Sequence, residues 1–105
     1  MTTITLSGKD VARTDDGFFV NPGEWTESMA PEIAKEEGID ELTPRHWEVL
    51  HLMRSEFETK GGGPSVRALT KMSGIPTKEL YQLFPKGPAK QAARIAGIPK
   101  PIGCI

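Results

Sequence analysis

Proline and glycine set the limits on what this chain can build. Nine prolines and eleven glycines fall among 105 residues. Proline inside a helix removes a hydrogen bond and clashes with the preceding turn, and glycine weakens any regular element it interrupts. The breaks at Asn21-Pro22-Gly23, Gly61-Gly62-Gly63-Pro64, Ser73-Gly74-Ile75-Pro76 and Pro85-Lys86-Gly87-Pro88 therefore divide the chain into short elements. The clearest of these follows Thr43-Pro44, a capping hydroxyl before a proline at the first helical position. Trp47, Leu50, Met53, Arg54 and Phe57 then trace one helix face to about Lys60.

The other segments read less sharply. Thr3 to Gly8 alternates polar and apolar residues with a β-branched bias, the pattern of a half-buried strand. Asp15-Asp16-Gly17 stands before Phe18-Phe19-Val20, and Asp-Gly is a strong hairpin turn. This predicts a hairpin near residues 10–20, with residues 3–7 as an added strand. Glu24 to Glu37 reads as helix through Trp25, Met29 and Ile33, with Gly38 as its stop. Pro31 marks either a break in that helix or a first-turn position. Ser65 caps a short helix carrying Val66, Leu69 and Met72, and Thr77 opens another with Leu80, Tyr81 and Phe84. The pair has helix-turn-helix spacing. Ala89 to Ala96 forms an alanine-rich helix closed by Gly97. Residues 1–97 read as one domain, and residues 98–105, with two prolines and a glycine, as an extended mobile arm.

Composition excludes several classes. Apolar residues make up 37% and charged residues 26%, which suits an ordered domain with one modest core. The apolar runs fall far short of the roughly 20 residues a membrane helix needs, and no basic-then-apolar leader opens the chain. The cytoplasm is the expected location. Charge is unevenly spread. Residues 1–43 hold ten acids against three bases, and residues 44–105 hold ten bases against four acids. Either the halves attract one another, or the basic half meets an anionic partner, weak nucleic-acid contact included. In the helix-turn-helix pair the second helix offers Lys78, Glu79 and Gln82 outward. A DNA reader presents mainly Arg, Asn and Gln to base edges, so a structural role for the pair is favoured.

The chemistry converges on Cys104, the one cysteine. A single thiol excludes an internal disulfide and a multi-cysteine zinc site. His46 and His51 lie five apart on the central helix, not at the spacing of a helical zinc pair. Glu36-Glu37 and Asp15-Asp16 read as solvated carboxylates, and the glycine triplet lacks the Gly-Lys-Ser/Thr ending of a phosphate loop. No metal or cofactor is implied. Cysteine is usually a buried small hydrophobe, but a proline-rich terminus without a pairing strand gives Cys104 little to be buried in. The reading is an accessible thiol on a tether. From Ile98 to Cys104 the reach exceeds about 20 Å at ~3.3–3.6 Å per residue. A nucleophile doing its own catalysis needs a base and an oxyanion site around it, whereas a carrier needs neither. Pro99, Lys100, Pro101 and Gly103 form the docking arm around that thiol.

The chain resembles the DsrC/TusE family of sulfur-carrier proteins. The resemblance rests on Gly17-Phe18-Phe19 with Pro22 and Trp25, Leu42-Thr43 with His46-Trp47, and Gly62-Gly63-Pro64 with Arg67. It continues in Leu80-Tyr81-Gln82-Leu83-Phe84-Pro85 with Gly87-Pro88, and in the run from Ala96 to Ile105. It implies an α+β, mainly α fold: an N-terminal β-hairpin on an orthogonal helical bundle with a helix-turn-helix-like element and a flexible C-terminal arm. It also implies that Cys104 carries persulfide sulfur, stoichiometrically rather than as a self-contained catalyst. The implied partners are an upstream relay complex or sulfurtransferase and a downstream acceptor, either a tRNA 2-thiouridylase or a sulfur-oxidation enzyme. Members with two arm cysteines carry the second eleven residues earlier, where this chain has Ala93. The alternatives are a helix-turn-helix regulator of sulfur metabolism and a gamma-type partner of sulfite reductase.

Overall fold

A computed structural model describes residues 2–99. It opens with an antiparallel hairpin of β1 (Thr2–Leu6) and β2 (Lys9–Arg13). Leu6 pairs with Lys9, so Ser7 and Gly8 form a two-residue turn, both at positive φ (52° and 78°). Such turns match the right-handed twist of the strands they join. The hairpin thus turns at Ser7-Gly8 and not at Asp15-Asp16-Gly17, and residues 3–7 lie in a principal strand. Asp15-Asp16-Gly17 does form a tight turn, closed by Gly17 N–H to the Thr14 carbonyl at 2.9 Å. Beyond it the chain makes a single bridge, between Phe19 and Arg13. Phe18 and Phe19 are each 1% exposed, so neighbouring side chains are both in the core. A strand would send one of them outward.

A short 3-10 turn spans Pro22–Glu24, capped by Asn21, whose side chain accepts from Gly23 N–H at 3.1 Å. Helix α1 runs Met29–Glu36. Its start lies later than the apolar spacing suggests because the ring of Pro31 clashes with a helical carbonyl four residues back, at Glu27. Pro31 is a first-turn proline, and Trp25 is left outside the helix. Helix α2 (Pro44–Lys60) begins where expected. Thr43 and His46 form a reciprocal cap: Thr43 N–H donates to His46 Nδ1 at 3.0 Å, and His46 N–H donates to Thr43 Oγ1 at 3.4 Å. Thr43→Ala is expected to cost about 1 kcal/mol by losing the hydroxyl cap. The check is a lower urea midpoint at unchanged slope.

Helices α3 (Val66–Ser73) and α4 (Thr77–Leu83) form the helix-turn-helix-like pair across Gly74, Ile75 and Pro76. Met72 and Tyr81, expected on apolar faces, are instead 38% and 48% exposed. Helix α5 (Pro88–Ala96) packs against α2, and also meets α1, α3 and α4. Its Ala92, Ala93, Ile95 and Ala96 are fully buried, and alanines allow neighbouring helices a close approach. The core gathers Phe18, Phe19, Met29, Ile33, Leu50, Met53, Leu69, Leu80 and Phe84 around α5. Trp47 and Phe57 line its margin. No helix among the described residues is long and apolar enough to cross a membrane.

Candidate functional site

The C-terminal end of α5 is tightly built. Gly97 adopts a left-handed conformation, φ 69°. Gly97 N–H donates to the Arg94 carbonyl at 3.3 Å, and Ile98 N–H to the Ala93 carbonyl at 3.1 Å. This is the paired bonding of a Schellman stop, with Ile98 as its hydrophobic contact. Ile98 is fully buried and Pro99 half-buried. The helix stop draws Ile98 into the core. Lys100, Pro101, Gly103 and Cys104 lie outside the described residues.

Two side chains from elsewhere hold the remaining carbonyls of this helix end. Trp25 Nε1–H donates to the Ile95 carbonyl at 2.9 Å. Arg54, on α2, donates through Nη1 to the carbonyls of Ala96 at 2.8 Å and Gly97 at 3.3 Å. Its Nη2 donates to the Pro22 carbonyl at 3.1 Å. The guanidinium lies over the Trp25 ring, 4.4 Å from its centre. Burial pulls the Arg54 pKa below its usual value, and Glu58 pulls it the other way. Arginine stays a cation at any pH a cell reaches, so a positive charge faces the negative end of the α5 dipole. A helix leaves its last four carbonyls without intrahelical partners, and here external donors reach those of Ala96 and Ile95.

The same helix is pinned on its other side. Arg94 Nη2 donates to Glu37 Oε1 at 2.9 Å, with both side chains 17% exposed. Gln91 Nε2 donates to the Glu37 carbonyl at 3.2 Å, and Lys86 N–H to Gln91 Oε1 at 3.2 Å. Arg94 also lies over the Phe18 ring at 5.4 Å. Glu37 is thus a packed anion joining the acidic and basic halves, not a solvated one. Glu36 forms an outer ion pair with Arg13 at 2.9 Å. Glu37→Ala would leave the Arg94 charge largely buried without its counterion. The expected cost is about 2 kcal/mol, below the ~3–5 of a fully buried pair. Arg94→Met in that background should recover part of it in chemical denaturation, since an apolar side chain leaves no stranded charge.

The histidines behave as structural and surface groups. His46 is 6% exposed, its Nδ1 accepting from Thr43 N–H and its Nε2–H donating to the Leu83 carbonyl at 2.9 Å. His51 is exposed and meets Glu27 at 2.8 Å. No cluster of metal-ligating side chains occurs among the described residues. On α4, Lys78 and Gln82 are exposed, while Glu79 is held by Arg45 at 3.2 Å. Sequence reasoning places Trp25 and Arg54 in apolar helix stripes and misses their role. The available signal is an arginine within the apolar stripe of α2.

A model of the family described as DsrC like protein matches residues 5–105, a span that includes Cys104. The chain belongs to that family. This DsrC-like chain is 35% identical over 105 residues to the dissimilatory-type sulfite reductase subunit gamma of Nitratidesulfovibrio vulgaris, covering 100% of both. It is 40% identical over 109 residues to the sulfurtransferase TusE of Shigella dysenteriae, covering 97% of this chain and 99% of that one. The NMR structure of Allochromatium vinosum DsrC superimposes with a TM-score of 0.86 at 41% identity, over 98% of this chain and 97% of that one. The hairpin and helical bundle are therefore those of DsrC proteins.

Proposed function

We infer that the chain is a sulfur carrier that accepts persulfide sulfur on Cys104 and passes it to an acceptor protein. The observation that carries this is a lone cysteine, placed penultimate on a proline-rich tail, in a DsrC-like chain whose relatives include a sulfurtransferase. Residues 98–105 serve as the delivering arm, with Pro99, Lys100, Pro101 and Gly103 as its docking surface. The six residues from Pro99 to Cys104, at ~3.3–3.6 Å each, reach about 20 Å when extended, enough to enter a recessed site on another protein. The setting is the cytoplasm. A sulfur-relay donor acts upstream, and a thiolating or sulfur-oxidising enzyme acts downstream.

The chemistry needs no cofactor. The Cys104 thiolate attacks the outer sulfur of a donor persulfide. A new sulfur–sulfur bond forms at Cys104, the donor's bond breaks, and the donor leaves as a thiolate that takes up a proton. Nothing is oxidised or reduced overall. The position of a second arm cysteine is filled by Ala93, which is fully buried. The loaded chain therefore has no internal thiol to displace its sulfur, and release waits for an external nucleophile. Cyanide provides a direct test. Protein incubated with polysulfide and desalted should yield one equivalent of thiocyanate per chain, and none when the thiol is alkylated beforehand. Equal yields with and without alkylation would defeat the proposal.

A further inference from the structure

We propose that the cleft where α3, α4 and the start of α5 meet binds single-stranded nucleic acid without regard to sequence, with Tyr81 as the ring on which a base stacks and Lys86 and Lys90 as phosphate contacts. Binding there uses no thiol, so it goes beyond the sulfur-carrier reading and does not depend on it.

The fold takes up only part of the charge asymmetry in the chain. Arg94 is held by Glu37, Lys60 by Glu56, and Arg45 by Glu48 and Glu79. Arg54 donates to backbone carbonyls. Arg67, Lys71, Lys78, Lys86 and Lys90 are exposed and form no ion pair among the described residues. All five lie on α3, on α4 or at the start of α5. After Thr59 the chain has one acid, Glu79, and Arg45 holds it at 3.2 Å. The halves therefore meet through a few ion pairs and leave a basic surface uncompensated.

Two of these cations converge on an aromatic ring. A cavity of about 210 Å³ is lined by Val66 from α3, Tyr81 from α4, and Lys86, Gly87, Ala89 and Lys90 around the start of α5. Tyr81 is 48% exposed, whereas its neighbour Leu80 is fully buried. A methyl group at Gly87 would meet nothing within 4 Å, so the backbone there is open to an incoming group.

The lysines select an anion, and the ring selects its kind. A single strand alternates phosphates with planar bases, and proteins that hold it without sequence preference combine a cationic groove with an aromatic platform. An acidic protein surface would satisfy the lysines and leave the ring without a planar partner. Duplex DNA keeps the faces of its bases within the stack, and its grooves are read mainly by Arg, Asn and Gln. Helix α4 exposes only Lys78 and Gln82 for that purpose.

Fluorescence anisotropy with a labelled RNA single strand of mixed sequence, about twelve nucleotides long, is the test. The wild-type chain should bind it with a dissociation constant of roughly 10⁻⁶–10⁻⁴ M at physiological salt. Tyr81→Ala should weaken binding about tenfold, the scale of one lost base stack, and Tyr81→Phe should keep it within about twofold of wild type. Lys86→Ala combined with Lys90→Ala should flatten the slope of log affinity against log salt by about 1.4, which is ~0.7 for each phosphate contact on a single strand. Lys71→Ala combined with Lys78→Ala removes the same charge outside the cleft and should flatten the slope less. Equal flattening by the two pairs would show a diffuse basic field and overturn the proposal. Undiminished binding by Tyr81→Ala would overturn it too. So would polyglutamate that displaces the RNA as well as unlabelled RNA does, which would assign the surface to an acidic protein, and so would a wild-type chain with no saturable binding.

Discussion

Gly97→Ala is expected to destabilise the chain by about 2–5 kcal/mol. Two costs combine. Alanine in the left-handed region pays ~1–2 kcal/mol. Its methyl group also overlaps the Trp25 side chain, and overpacking of this kind typically costs ~1–3 kcal/mol. Trp25 has little freedom to retreat, because its indole N–H is bonded to Ile95 and its face is covered by Arg54. For a domain of this size each kcal/mol moves the melting temperature by about 4–8 °C, so a fall of about 10 °C or more is expected by circular dichroism. Gly74→Ala is the matched control. Gly74 has a similar φ of 77°, yet a methyl group there meets nothing within 4 Å. It should cost about 1–2 kcal/mol, the conformational part alone. Equal losses at the two positions would mean that Trp25 yields and that the end of α5 is not rigid.

The elements legible in the sequence are those whose cause is local. Thr43-Pro44 starts α2 because capping hydroxyl and proline act within one turn, and Gly97 ends α5 for an equally local reason. The hairpin lies away from its expected place because two turn signals compete. Ser7-Gly8 joins strands that can pair along five residues, whereas Asp15-Asp16-Gly17 leads to two phenylalanines that the core takes together. The start of α1 departs from the apolar spacing because the steric reach of Pro31 excludes helix as far back as Glu27.

The candidate site divides the same way. Cys104 is legible because uniqueness and position are properties of sequence. The network that closes the end of α5 is not. Trp25 meets Ile95 across 70 residues, and Arg54 meets Ala96 across 42. No periodicity records such pairings, since an apolar stripe looks the same whether its arginine faces solvent or caps a distant helix. Glu37 reads as solvated in the sequence for the same reason, its partner Arg94 being 57 residues away.

Cys104→Ser should abolish sulfur loading outright while leaving the fold and stability of the bundle unchanged. The hydroxyl cannot form a stable sulfur–sulfur bond, and the chain contains no second cysteine to substitute for the lost thiol. Residues 2–99 contain the hairpin, the core and the closed end of α5. The effect is therefore complete on function and negligible on folding, a separation that few substitutions in so small a domain would give. It also distinguishes a carrier from a DNA-binding regulator, whose contacts would come from α4 and the basic residues around it.

Intact-mass spectrometry after incubation with polysulfide or a cysteine desulfurase tests the central claim most directly. The wild-type chain should gain the mass of one sulfur atom, in full stoichiometry, and lose it on treatment with a reductant. The Cys104→Ser chain should gain nothing under the same conditions. A persistent, reductant-sensitive gain of sulfur in that variant, or no gain in the wild type from either donor, would contradict the account.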